Sequence, residues 1–355
     1  MANIFARSPY LIRIAESGSP SQNGSKLELF ISNTTTFTGT PQYTLSKLIP
    51  ASNNLETLYD ISSYIQEYIS HIEISTSGDA QVITPTSQYA NVRVKRYKLV
   101  GSTYTLLNTV DYKAFNGYGY YEDNLNVDLG DYGLDVANYY YLPTQYAGKI
   151  RINVGANFTA RYTSFASTPS ITNLVLGATA NVFDIPRVRT ANANVGNKVE
   201  ILNAASAVQA TYYFYPQEEC KYTPVIIDFV NRYGAWQREF FFKASNDTFS
   251  VENTEYNLMQ TFTTTSGVTT YNALEGQRET FNTNGKKSIK VNTGWVYENW
   301  KDVLKQIMLS ERILIDNKPA KINTKSTELF KSINTKQINY SLDFEFTYDV
   351  INSVI

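Results

Sequence analysis

The sequence predicts a mainly β protein, with two antiparallel β-sandwich-like domains, each carrying one short amphipathic helix, plus extended loops or arms. Three observations predict this. Apolar side chains recur at every second position through most of the chain, which is the period of a half-buried strand. Apolar side chains at the helical spacing i, i+3, i+4 occur in two short segments. Aromatic residues make up 14% of the 355 residues, with 28 tyrosines, against 18% charged residues. Rings of this kind favour strands and contact surfaces, and so rich a set excludes a disordered chain.

The elements follow in order. Leu11, Ile12 and Ile14 predict a first strand, and SKLELFISN (Ser25 to Asn33) a second, with Leu27, Leu29 and Ile31 on one face. QYTLSKLIP is a third, ended by Pro50. In DISSYIQEYIS, Ile61, Tyr64, Ile65, Tyr68 and Ile69 form the first helical stripe, with Asp60 or Ser62 as cap. YANVRVKRYKLV and TYTLLNTV flank the turn Gly101-Ser102. Residues 112–146 mix Gly, Tyr, Asn and Asp without a clear period and predict a long Tyr/Gly-rich excursion. KIRINVGANFTARYTSF returns to strand patterning, and FASTPSITN (Phe165 to Asn173) is small and polar. This places one domain at 1–164, a linker at 165–173 and a second domain at 174–355.

The second half starts with ITNLVLGATANVFDI, VEILN and ATYYFYP. VIIDFVNRYGAWQREFFFK (Val225 to Lys243) predicts a hairpin turning at Asn231–Gly234, with Ile227, Phe229, Phe240 and Phe242 on a buried face and a half-exposed mixed face opposite. Thr263 to Lys287 is polar and predicts a loop or a second extension. ENWKDVLKQIMLSERI carries the second helical stripe near 299–311, with Asn299 as cap. ILIDNKPAKI predicts a hairpin at Asn317-Lys318. INYSLDFEFTYDV predicts a closing strand with Leu342, Phe344 and Phe346 inward and Ser341, Asp343, Glu345 and Thr347 outward.

Chemistry is sparse. The formal net charge is −1, so nothing biases the chain toward nucleic acid. One cysteine, Cys220, excludes an internal disulfide and a four-cysteine zinc site, and one histidine, His71, excludes two-histidine metal motifs. Cys220 and His71 lack a third orienting group for nucleophilic catalysis. Asp343 and Glu345 fall on the polar side of an alternating strand, where solvation explains them better than glycoside hydrolysis. Glu122, Asp123, Asp128, Asp131 and Asp135 lack the ligand spacing of an EF-hand loop and are expected as turn residues. Walker, GxGxxG and GxSxG motifs do not occur. No enzymatic activity, metal or cofactor is expected. MANIFARSPYLIRI holds no apolar core of signal-peptide length, and no run reaches the length of a membrane span. The rings of GYGYY (Gly117 to Tyr121) and NYYYLP (Asn138 to Pro143) suit protein contacts. The interface candidates are Tyr118, Tyr120, Tyr121, Tyr139, Tyr140, Tyr141, Arg232 and Tyr233.

Three segments carry a resemblance. SKLELFISN, YTLSKLIP and LYDISSYIQEYI are similar to the N-terminal part of virion structural proteins of crAss-like and related tailed bacteriophages. EECKYTPVIIDFVNRYGAWQREFFFKAS resembles a recurring segment of the same group. VNTGWVYENWKDVLKQIMLSERILID with INYSLDFEFTYDVIN resembles their C-terminal segment. The resemblance covers roughly half the chain, in order, and leaves out Gly101 to Val199. It implies a tail or collar component between portal and distal tail, assembled in the host cytoplasm, in contact with copies of itself in a ring and with portal or other tail and collar proteins. It implies no membrane partner, and DNA contact only if the chain lines the tail channel. It carries over no catalytic residue. A carbohydrate-binding adhesin of the tail, with tyrosines stacked on sugar rings, is the alternative expectation, discriminated by glycan binding that depends on Tyr139 and Tyr140.

Overall fold

A computed structural model describes residues 2–15, 22–34, 36–37, 39–49, 56–70, 82–83, 88–129, 133–144, 148–153, 157–176, 182–218, 222–328 and 337–351. The chain is mainly β, with two α-helices among the described residues. It divides into two compact units. The first comprises 1–220, 228–239 and 299–310, and the second 221–227, 240–298 and 311–355. His71, Asp131 and Cys220 lie outside the described residues.

In the first unit, a five-stranded sheet runs in the order Ala2–Phe5, Thr103–Phe115, Tyr89–Val100, Gly24–Ser32, Tyr43–Leu48. Its first pair is parallel and the rest antiparallel. Ala2–Phe5, the strand that alternation misses, is short and almost wholly buried, so no polar face marks it. Leu11–Ala15 and Glu56–Asp60 form an antiparallel pair. Ile12, Ile14 and Tyr59 from this pair, with Ile61 and Ile65, pack on Leu27, Leu29, Ile31, Val92 and Val94 of the sheet. The helix Ser62–Tyr68 starts where Asp60 Oδ1 accepts the Ser62 N–H at 3.0 Å and the Ser62 hydroxyl at 2.6 Å.

A second five-stranded sheet of this unit runs Ile171–Leu176, Phe158–Ser164, Asn197–Leu202, Val208–Gln217, Tyr139–Pro143, with the last pair parallel. The stretch expected as a linker, 165–173, lies within a hairpin: 165–170 form its turn, and Ile171, Thr172 and Asn173 already pair with Thr163, Tyr162 and Arg161. Ser and Pro at a tight turn have the same composition as a linker, and pairing of the flanking strands decides between them. The expected domain edge at 164 therefore lies within the first unit. The second helix, Lys301–Leu309, also groups with this unit. Its N-cap position is Trp300, not Asn299, and no side chain caps it.

In the second unit, antiparallel strands run in the order Ile313–Ile315, Lys318–Ile322, Gln337–Phe346, Arg278–Tyr297, Asn246–Asn257. The turn before Lys318 is Asp316-Asn317, both at positive φ (47° and 63°), the geometry of a two-residue hairpin loop. Leu342 and Phe344 are buried and Asp343 is exposed, in the expected alternation. Thr263 to Lys287, expected as a loop or extension, is the outer part of a long hairpin. Asn246–Asn257 pairs with Arg278–Lys290, and Phe262–Thr265 with Val268–Tyr271 nearer the tip.

The hairpin around Asn231–Gly234 differs from expectation on one point. Asp228 and Arg238 form a two-point ion pair across it, at 2.6 Å each. Asp228 and Arg238 thus share a face, and Phe229 shares the other with Gln237 and Glu239. The single face expected to hold both Phe229 and Phe240 is split. Trp236–Phe241 is buried on both sides, so the mixed face is interior rather than half-exposed. Alternation cannot reveal this, because a strand covered on both faces has no solvent side.

Candidate interaction surfaces

The excursion is ordered in its first half by the turn Asn231–Gly234. Asn231 is fully buried; its Nδ2 donates to the Leu134 carbonyl at 2.7 Å and to Gln237 Oε1 at 3.0 Å, while its Oδ1 accepts the Tyr233 and Ala235 N–H groups. Gly234 sits at φ +74° against the backbone of Asn116 and Gly117. The Tyr118 N–H donates to the Arg232 carbonyl at 2.7 Å, and the Arg232 N–H donates to Gln306 Oε1 at 2.8 Å. The Arg232 guanidinium lies 4.4 Å from the Tyr120 ring centre and pairs with Asp123 at 2.7 Å. Arg7 lies 4.7 Å from the ring centre of Tyr118, which meets Tyr120 edge-on at 5.9 Å. Burial pushes the Tyr118 hydroxyl up to about 12. The candidates Tyr118, Tyr120, Arg232 and Tyr233 are therefore brought together, but around each other. Tyr118 is buried, and Tyr233 is partly buried against the cluster that holds Phe5, Tyr89 and Phe115. Tyr121 alone of this group is wholly exposed.

The second tyrosine cluster lies on Tyr139–Pro143, parallel to Val208–Gln217 in the register Tyr139↔Tyr213, Tyr140↔Phe214, Tyr141↔Tyr215. Parallel in-register pairing puts like rings side by side. Tyr139 stacks on Tyr213 at 4.8 Å and Tyr140 on Phe214 at 5.2 Å, while Tyr141 lies 6.1 Å from Tyr215, which stacks on Phe165. The alternation of the strand sends Tyr140 inward, to 1% exposure, and leaves Tyr139 exposed and Tyr141 half-buried. As an interface residue Tyr140 is a correction: its ring is spent on the core of its own chain.

Tyr140 borders a cluster of charges that sequence reading missed. Arg187 is 0% exposed; its Nη2 donates to Asp135 Oδ2 at 2.9 Å, its Nη1 donates to the Arg238 carbonyl at 2.6 Å, and its Cζ lies 4.8 Å from the Tyr140 ring centre. Arg151 and Asp184 pair nearby at 2.9 Å and are also buried. Asp135, expected as a turn residue, is thus an interior ion-pair partner, and burial pushes its carboxyl up against the pull of Arg187. Glu239, buried and accepting a hydrogen bond from Gln237 at 2.8 Å, has its carboxyl raised to about 7, with burial as the main cause. Charged side chains spaced singly along apolar strands carry no local sign of burial; only the pairing partners, far apart in sequence, reveal it.

Glu239 gives a pH prediction. Its folded pKa of about 7 lies above the ordinary value of 4.5. Its contribution to stability is therefore fully present below pH 4.5 and is lost as pH rises through 7. Between pH 5 and 8 the wild-type chain is expected to lose about 2–3 kcal/mol from this group. Urea unfolding at both pH values, beside Glu239→Gln, measures it: the glutamine chain is expected to lack that part of the pH dependence.

A comparison with models of known protein families matches none, and no curated protein matches the chain. Among the described residues no three His, Cys, Asp or Glu side chains gather as a metal set, and no helix is long and apolar enough to cross a membrane. Asp343 and Glu345 stay on the polar face, where Lys321 Nζ lies 3.0 Å from Glu345 and holds its carboxyl below the usual range.

The most exposed apolar surface lies in the second unit, on the long hairpin. Every residue of Asn246–Asn257 is exposed. Phe249 and Val251 share one face with Gly285, and the Phe249 ring lies over Gly285, where a Cβ would come within 2.5 Å of it. Thr248, Ser250 and Glu252 occupy the other face, where Glu252 pairs with Lys286 at 2.9 Å. Toward the tip, Met259 is 92% exposed, Leu274 95% and Phe281 76%. Phe262 and Tyr271 are paired across the tip and both open to solvent. At about 3.3 Å per residue, the 12-residue strand alone spans roughly 40 Å. The sequence signal for this arm was its composition of Thr, Asn and Gly with scattered rings, which cannot be told from a loop because its strands have no buried face.

Proposed function

We propose that this chain is a structural component of a tailed-bacteriophage virion, joining copies of itself and neighbouring virion proteins into a ring of the tail or collar. The observation that carries the reading is the arm. An isolated two-stranded ladder is marginal in water, and exposed apolar side chains gathered on one element mark contact surfaces. Phe249, Val251, Met259, Phe262, Leu274 and Phe281 are all exposed on the arm. The resemblance of the three sequence segments to virion structural proteins supplies the setting. Tyr121 and Tyr139 remain as exposed rings for lateral contacts. In this reading no substrate bond is made or broken; the buried ion pairs of the first unit hold its interior.

Mass spectrometry of purified particles of the phage that encodes the chain tests the reading. The chain is expected at several copies per particle. Its absence from salt-washed particles would overturn the proposal.

A second reading rests on the stacked rings Tyr139, Tyr213, Tyr141, Tyr215 and Phe165, an aromatic strip of the kind that stacks on sugars. Under the structural reading the chain is retained on no glycan. Retention on a glycan array that is lost in Tyr139→Ala would favour the carbohydrate-binding alternative.

A further inference from the structure

Lys113 is the one buried lysine among the described residues, at 2% exposure. It lies on Thr103–Phe115, where the register sets it between Asn3 on one neighbouring strand and Asn91 on the other. Alternation along the strands gives these three the same face as Phe5, Phe115 and Tyr89. A smaller antiparallel sheet, in the order Lys149–Asn153, Val182–Pro186, Val82–Ile83, lies on that side. Lys113 Nζ donates to Asn153 Oδ1 of this sheet at 2.8 Å, and Asn153 is 1% exposed. Phe5, Tyr89, Phe115 and Leu134 cluster there with Val182, the strand partner of Asn153.

A chain of amides orients the contact. Asn153 Nδ2 donates to Asn3 Oδ1 at 3.0 Å, and Asn3 Nδ2 donates to Asp128 Oδ1 at 3.3 Å. A carboxylate only accepts, and a lysine at the other end donates, so the two ends fix each amide between them. Asn153 is thereby held with its carbonyl oxygen toward Lys113 and its nitrogen toward Asn3.

We infer that Lys113 and Asn153 join in an isopeptide bond. The amine, in its neutral form, attacks Asn153 Cγ. The Nζ–Cγ bond forms, the Cγ–Nδ2 bond breaks, and a proton passes from Nζ to Nδ2, which leaves as ammonia. One amide replaces another; nothing is oxidised or reduced. Three features favour the step. Burial disfavours the ammonium form and desolvates the nucleophile. Contact within a packed core holds the amine beside the carboxamide without further loss of freedom. The apolar walls keep out the water that would compete for Cγ. The product ties Thr103–Phe115 to Lys149–Asn153, so the two sheets cannot part without breaking a covalent bond. The reaction occurs once, within a single chain, and needs no assembly.

Mass spectrometry of the purified full chain, denatured before injection, tests the bond. The chain is expected about 17 Da below its sequence mass, the loss of one ammonia. Asparagine can also lose ammonia by cyclising on its own backbone, so a digest locates the loss. Trypsin does not cut after an acylated lysine and is expected to release residues 99–149 joined to 152–161. A wild-type chain at full mass, or one whose digest lacks the joined peptides, overturns the proposal. Asn153→Ala is expected at full mass, with cleavage after Lys113 restored. A deficit that persists in this variant also overturns the proposal. Both readings are taken on denatured chains and hold whether or not the variant folds.

Discussion

Replacing Arg187 by alanine is expected to destabilise the first unit by about 3–5 kcal/mol. The guanidinium is wholly buried, donates to Asp135 and to the Arg238 carbonyl, and lies over Tyr140 and Phe214. Its loss leaves the Asp135 carboxylate, already held above its usual range by burial, without its charge partner. It also leaves a cavity beside two rings. Breaking a buried pair from one side costs far more than replacing both members, because only the former strands a charge. Asp135→Asn in the Arg187→Ala background is therefore expected to recover part of the loss. Equilibrium denaturation of the single and double variants measures both effects, and additivity of the two changes would contradict the pairing argument.

Gly234→Ala is expected to cost about 2–5 kcal/mol, the sum of two effects. A side chain at φ +74° meets the left-handed penalty of about 1–2 kcal/mol. The new Cβ would also lie 2.7 Å from the backbone of Asn116 and 2.8 Å from the Gly117 nitrogen, and forced packing costs about 1–3 kcal/mol. Gly267→Ala separates the two: it has φ +80° but open space around it, so only the first penalty applies. Comparison of the two midpoints in urea decides whether the turn Asn231–Gly234 is clamped against the 116–118 segment. Equal shifts would mean that it is not.

That clamp explains how the sequence was legible and where it was not. Gln337–Phe346 has one wet and one dry face, and Gly24–Ser32 and Tyr89–Val100 set a buried face against a largely half-buried one, so alternation announces them. Trp236–Phe241 has two dry faces, and its Gln237, Arg238 and Glu239 look like a solvated edge until Asp228, Asn231 and Arg187 are placed beside them. Tyr139, Tyr140 and Tyr141 are indistinguishable by composition; alternation along a strand divides them into exposed, buried and half-buried. The arm failed for the opposite reason. Its strands are wet on both faces, so no period survives, and the pairing is visible only as a register between residues 246–257 and 278–290. Tyrosine content pointed to contact surfaces, but much of it serves the chain's own interior, and the exposed apolar side chains of the arm are phenylalanine, leucine, valine and methionine as well as tyrosine.

The central claim is that this protein works by joining copies of itself through extended surface elements. Under the proposal the chain is part of a tailed-phage particle, and electron cryo-microscopy of that particle tests this most directly. The predicted result is a ring of copies on the tail axis, with residues 246–290 of each seated on its neighbour. A map in which the chain occurs singly, or with those residues standing free in solvent while another surface holds it in place, would contradict the account.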